Sequence, residues 1–196
     1  MMKVGLTGGI GVGKSIVSTV FSVLKIPVYE ADSKAKLLMQ SDKQLMDELI
    51  DAFGQNIFIH NQLIPSILAQ IVFNDRKALS KVNSIVHPYV MQDFITWTQS
   101  HSDDPYVIME SAILIESGLC SHFDKIICIT SPLKMRIERI RKRDGISEDL
   151  VKQRISNQLS DKEKLPKCDY IIYNDDNSMV LPQVLEIHNQ LLKVTN

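Results

Sequence analysis

One short stretch constrains this chain more than any other. Gly8-Gly9-Ile10-Gly11-Val12-Gly13-Lys14-Ser15 satisfies GxxxxGK(S/T) in full, the pattern of a loop that wraps a run of phosphates. Such a loop works between a strand and a helix. The apolar run Lys3 to Leu6 supplies the strand, and Lys14 to Leu24 has helical spacing. Glycines let the backbone close on phosphate oxygens and turn its N–H groups onto them, where side chains would block approach. The N-terminus of the helix adds its dipole. Lys14 offers a charge to the β/γ bridge, and Ser15 offers a hydroxyl to Mg²⁺. The candidate nucleotide-binding residues are therefore Gly9, Gly11, Val12, Gly13, Lys14, Ser15 and Ile16. The dinucleotide pattern GxGxxG fits nowhere, which argues against a dehydrogenase. The loop alone leaves kinases, switch GTPases and motor ATPases open.

Further apolar runs recur at Ile26 to Tyr29, Tyr106 to Met109, Lys125 to Ile129 and Tyr170 to Tyr173. They are short, rich in Val and Ile, and lack the polar alternation of a one-sided sheet. Helical patterns at Leu133 to Arg143 and Val180 to Leu192 alternate with them. This order predicts an α/β fold, a three-layer core around a parallel five-stranded sheet covered on both faces. The stretch from Ser33 to His101 breaks the alternation with an almost purely helical pattern. It is too long for one crossover helix and reads as a helical lobe inserted after the second strand. Ile64-Pro65 and His87-Pro88 punctuate it, because the residue before proline avoids the helical region.

A formal net charge of −1 gives no overall basic field to gather nucleic acid or an anionic membrane, so neither is expected as a partner. No stretch approaches the roughly 20 apolar residues that span a bilayer. Cys120, Cys128 and Cys168 are scattered, which suits free thiols and a cytoplasmic setting rather than a zinc site or disulfide framework.

Four acidic positions stand at or after the ends of strands. Asp32 follows the second strand at the end where open parallel sheets bind ligands. It could take a proton from an attacking hydroxyl, hold a magnesium-bound water, or simply cap a helix starting at Ser33. Glu30 could share that role. Glu110 ends an apolar strand in the manner of a Walker B element, and Glu116 lies six residues further on. Both could reach the mouth of a cleft. From Lys134 to Arg154 eight basic residues face four acids, a local charge of about +4. Arg139 and Arg143 lie four apart on one helix face, with Arg136 one turn before, and Asp144-Gly145 then breaks the helix. Guanidinium groups on a mobile flap suit the charge that spreads over a transferring phosphoryl group, which makes Arg139 and Arg143 candidate catalytic residues. Lys134, Arg141 and Lys142 read as solvated.

Taken together, these residues resemble the dephospho-CoA kinase family from Lys3 to about Leu192. The phrase from Leu6 to Ser15 resembles the family's LTGGIGSGKS, and Ala31-Asp32 matches its Ala-Asp pair. Leu68-Ala69, Val72-Phe73 and His87-Pro88 match its helical acceptor lobe; Arg139, Arg143-Asp144, Arg154 and Gln158 match its lid pattern; Asp169-Tyr170 with Asn174 match the segment near its adenine. The resemblance implies an NMP-kinase-like P-loop NTPase fold in a single domain. Its core spans about 1–32, 103–133 and 166–196, its acceptor lobe about 33–102 and its lid about 134–165. It implies transfer from ATP with Mg²⁺ to the ribose 3′-hydroxyl of dephospho-CoA, with Asp32 as the base. Lys14, Arg139 and Arg143 would serve the transfer, Asn174 and Arg143 the nucleotide, and Asp32, His87 and Glu116 the acceptor. A monomer or weak homo-oligomer is expected. The chain departs from the family where Ile64-Pro65 replaces Asp-Arg and where Arg136 replaces a lid glutamine. A related small-molecule kinase and a nucleotide switch are the alternatives. The switch lacks an NKxD base reader, and its DxxG match at Asp51 to Gly54 falls in a helical pattern.

Overall fold

The computed structural model describes residues 1–60, 62–73 and 75–195. In chain order, β1 (Met2–Thr7), α1 (Lys14–Val23) and β2 (Val28–Glu30) come first. Then follow α2 (Ala31–Ser41), α3 (Lys43–Phe53), β3 (Phe58–Ile59), β4 (Gln62–Leu63), α4 (Pro65–Phe73) and α5 (Arg76–Gln99). The chain continues through β5 (Tyr106–Glu110), β6 (Lys125–Thr130), α6 (Leu133–Asp144), α7 (Glu148–Ser156), α8 (Asp161–Lys164), β7 (Tyr170–Tyr173) and α9 (Val180–Thr195). These elements divide into two units, one of Met1–Glu30 with the chain from His101 onward, the other Ala31–Ser100.

The first unit is built on a five-stranded sheet in the order β2-β5-β1-β6-β7. Every pairing in it is parallel. Parallel strands need cover on both faces, and β1 shows how the sequence provides it. Val4 and Leu6, fully buried, join Val17 and Phe21 of α1 and Val184 and Leu191 of α9 in one apolar cluster. On the opposite face Gly5 leaves room for Leu114, whose side chain would lie 2.9 Å from a Cβ at that position, with Phe123 beside it. The five apolar runs read from the sequence are the five strands of this sheet, with no end shifted by more than two residues. Ile26 stands outside β2, buried behind Lys25, whose φ of 62° marks the turn out of α1.

The second unit is mostly helical, with buried Leu45 and Leu49 of α3 and Val86, Val90, Met91 and Phe94 of α5 among its core residues. Two expectations need correction here. The pattern is not purely helical, because β3 and β4 form a short antiparallel hairpin in which Phe58 opposes Leu63. Strands of two residues are too short to show periodicity. Nor does His87-Pro88 end a helix, since α5 continues through Pro88 to Gln99. The missing N–H of an interior proline costs about 3 kcal/mol, a cost that burial of four large side chains at about 1.5–3 kcal/mol each can offset. Pro65 does open α4, where a proline ring suits the first helical turn. Asp51 and Gly54 are the C-terminal end of α3 and its cap.

Candidate active site

The phosphate loop leaves the C-terminal end of β1, the central strand, and enters α1 at Lys14. Two glycines have backbone reasons to be there. Gly11 has φ +81° and Gly13 φ +92°, in the left-handed region that favours glycine. A Cβ on Gly13 would also stand 2.3 Å from the Asn174 amide nitrogen. The Lys14 ammonium turns back over the loop, donates to the Gly8 carbonyl at 3.2 Å and lies 3.7 Å from Glu110 Oε1. Glu110 closes β5, next to β1 in the sheet, and so brings an acid beside the lysine. Ser15 and Ile16 are exposed in the first turn of α1. Val12 is fully buried, its side chain in the core cluster.

Behind the loop stands a set of side chains that the sequence only partly announced. Arg136 of α6 is buried, donates from Nε to the Ile10 carbonyl at 3.0 Å and lies 3.7 Å from Asp161. Burial pushes its guanidinium pKa down, and the neighbouring Asp161 opposes that fall. Asp161 also accepts from the Thr130 hydroxyl. Gln158 receives the Ile10 N–H at 2.8 Å and donates to the Ala112 carbonyl at 3.4 Å. Asn174, also buried, donates to the Val12 carbonyl at 2.7 Å. Arg139 reaches the Ser131 hydroxyl at 3.1 Å and, at longer range, the Gly11 carbonyl and the Asn174 side-chain oxygen. Arg139 and Asn174 are thus brought to the loop, on its protein side.

The remaining expected residues are placed as follows. Glu116, in the turn after β5, holds the fully buried Lys164 at 2.7 Å and the Leu159 N–H at 3.1 Å through Oε1. Its Oε2 is buried without a hydrogen-bond partner. Arg143 is largely exposed and grips Asp144 with two bonds of 2.7 and 3.1 Å. Arg154 joins the same carboxylate at 2.7 Å. The hydrogen bond from Arg143 and the two guanidinium charges hold the Asp144 carboxyl below its ordinary range. Arg143 is therefore not brought to the loop with Arg139. Lys134, Arg141 and Lys142 are exposed, as expected. In the second unit, Asp32 is exposed in the first turn of α2, which begins one residue earlier, so it is not the residue before the helix that a cap must be. His87 is half-buried in α5, and burial lowers its pKa. Sequence reasoning passed over Asp161 and Lys164, named Gln158 only within the lid pattern, and noted Arg136 as a substitution one turn before Arg139 without giving it a role. No local pattern shows what these residues touch, because their partners lie tens to more than a hundred residues away.

The hard oxygens of Ser15 and Glu110 suit a magnesium ion that is held mainly by nucleotide phosphates. Among the described residues no group of three or more His, Cys, Asp or Glu side chains could hold a metal ion unaided. No helix among them is long and apolar enough to cross a membrane.

Comparison with known proteins bears on the same loop and sheet. The sequence model of a family described as dephospho-CoA kinase matches residues 2–179. A dephospho-CoA kinase of Bacteroides fragilis is 41% identical over 95% of this chain and 91% of its own length. One from Porphyromonas gingivalis is 36% identical over 95% and 93%. A crystal structure from Thermus thermophilus superimposes with a TM-score of 0.82 at 25% identity, covering 100% of this chain and 98% of that one. Shikimate kinase from Aquifex aeolicus shares the fold more loosely, with a TM-score of 0.51 at 17% identity over 97% and 96%. With a phosphate loop on the central strand, a parallel α/β core and relatives matched along almost all of its length, the chain belongs to the dephospho-CoA kinase family.

Proposed function

We propose that this protein transfers the γ-phosphoryl group of ATP to the ribose 3′-hydroxyl of dephospho-coenzyme A, the last step of coenzyme A synthesis. The observation that carries the proposal is the Lys14–Glu110 pairing at the mouth of the phosphate loop, in a chain matched to the family from residue 2 to residue 179.

The loop N–H groups and the dipole of α1 receive the β-phosphate. Lys14 leaves Glu110 for the β/γ bridge, and Ser15 and Glu110 would hold Mg²⁺, which when bound would neutralise charge on the phosphates. The acceptor 3′-oxygen attacks the γ-phosphorus, the bond to the bridging oxygen breaks, and ADP departs. Asp32 takes the hydroxyl proton. Its support is its residue type and its place two residues past Glu30, which pairs in register with Glu110. Arg139 and Arg143 stabilise the transferring group, with residues 134–165 acting as a lid and Gly145, φ +67°, as its flexible point. His87 and Glu116 are the proposed acceptor contacts. Burial favours the neutral form of the His87 imidazole, and Glu116 stands in the turn that follows β5 and Glu110. The free thiols suit a cytoplasmic setting.

The test is incubation with ATP, Mg²⁺ and dephospho-CoA, following the acceptor by mass. One added phosphate, with an equal amount of ADP, is the expected result. ADP release without a heavier acceptor, or faster turnover of a shikimate-like acid, would overturn the assignment.

A further inference from the structure

The side chains behind the phosphate loop bond to its carbonyls in sequence. Arg136 Nε donates to Ile10 O at 3.0 Å, Arg139 Nη1 reaches Gly11 O at 3.5 Å, and Asn174 Nδ2 donates to Val12 O at 2.7 Å. The described peptide bonds are all trans, and in a trans peptide the carbonyl and the following N–H point in opposite directions. A donor that draws the Ile10 carbonyl to the protein side therefore turns the Gly11 N–H the other way. The Asn174 bond does the same for the Gly13 N–H.

Arg136 is the best built of these supports. It is only 7% exposed, and its guanidinium lies so close over Gly9 that a Cβ there would meet Nη2 at 2.2 Å. Asp161 restrains the far end of the guanidinium at 3.7 Å. Gln158 takes the Ile10 N–H at 2.8 Å, so both polar groups of that residue are fixed from outside the loop. Ile10 itself packs against Ile137, Ile140 and Val151.

We infer that Arg136 is a positioning residue for nucleotide phosphates: it acts through the Ile10–Gly11 peptide, holding the Gly11 N–H toward the phosphate site. The inference rests on the proposed kinase reading only in its acceptor measurement. What matters is a donor at the fourth side-chain atom after Cα, which is Nε in arginine. Glutamine carries its amide nitrogen at that same place, methionine carries a methyl group there, and lysine a methylene. Arg136→Gln keeps the bond and discards the charge, Arg136→Met discards both, and Arg136→Lys keeps the charge but moves the donor outward.

The measurement is the affinity for Mg-ADP by calorimetry, with no acceptor present, alongside the KM for dephospho-CoA and the melting temperature. The expected result is ADP binding weakened about tenfold in Arg136→Met, within about threefold of the parent in Arg136→Gln, and an unchanged acceptor KM. Should Arg136→Met fail to fold, Arg136→Lys decides, with weakened binding expected. Equal losses in Arg136→Gln and Arg136→Met, or parent-like binding in Arg136→Met or Arg136→Lys, would overturn the inference. So would a loss that merely follows a fallen melting temperature. If the parent binds ADP but does not phosphorylate dephospho-CoA, the proposed function fails while the positioning role is still decided by the ADP data.

Discussion

Lys14 and Asp32, the proposed phosphate contact and the proposed base, can each be tested by one substitution. The Lys14 ammonium lies over the loop, 3.7 Å from Glu110, and in the proposed role its charge is needed most when the γ-phosphoryl group is in flight. Lys14→Ala is expected to lower kcat by about 10²-fold or more while the far-ultraviolet circular dichroism stays that of the parent. A folded variant with kcat within about threefold of the parent would remove Lys14 from the chemistry. Asp32 is exposed and sits inside the first turn of α2, so its structural contribution is limited to favourable interaction with the helix dipole, about 0.3–1 kcal/mol. Asp32→Asn should cost about 10²–10⁴ in kcat, with ATP KM and melting temperature nearly unchanged. Parent-like kcat in that variant would leave Asp32 a helix residue only.

At the scale of elements, α6 and the segment behind it divide between fixed and exposed parts. Its first turns are anchored, with Arg136, Ile137 and Ile140 buried against the loop and its supports. The return of the chain is anchored too, through Gln158 on Ile10 and Lys164 on Glu116. Between these anchors Arg141, Lys142 and Arg143 are exposed, and α6 stops at Gly145. Arg143 must exchange its two bonds to Asp144 for phosphate oxygens if the lid is to close on a nucleotide. Arg143→Lys should therefore remain impaired by about tenfold or more in kcat/KM, because an ammonium cannot reproduce a forked contact. Arg141→Ala, which loses only a surface pair with Glu148 at 3.9 Å, should stay within about twofold of the parent. Steady-state kinetics of both variants in one buffer check the pair. A large loss at Arg141 with none at Arg143 would mean that the other face of α6 is the working one.

For the whole molecule, two histidines in different units set a common response to acid. Burial holds the imidazoles of His87 and His188 below their usual value of 6.5, and His188 also shares a 2.6 Å hydrogen bond with the buried Tyr106 hydroxyl. Just below pH 6.5 the unfolded chain takes up protons that the folded chain resists. Their contribution to stability is thus complete above that value and declines as pH falls toward the folded pKa values. Denaturant unfolding at about pH 7.5 and about pH 5.5 should show a loss of stability at the lower pH, and a smaller loss in His87→Gln. An identical loss in that variant would clear His87 of any part in it. What the sequence determined by itself was whatever depends on local order. The glycine spacing of the phosphate loop, the five apolar strands, the helix at Lys14 and the stop at Gly145 each follow from neighbours along the chain. The tertiary structure decided the rest. The two-residue strands β3 and β4 exist only as partners of each other, and α5 runs through Pro88 in a sequence that locally argues for a break. The supports of the loop are the clearest case. Arg136 and Asn174 meet Ile10 and Val12 across separations of 126 and 162 residues. Only the parallel stacking of β1, β6 and β7 brings such distant side chains behind one loop, and no pattern confined to a short window of sequence can carry that information.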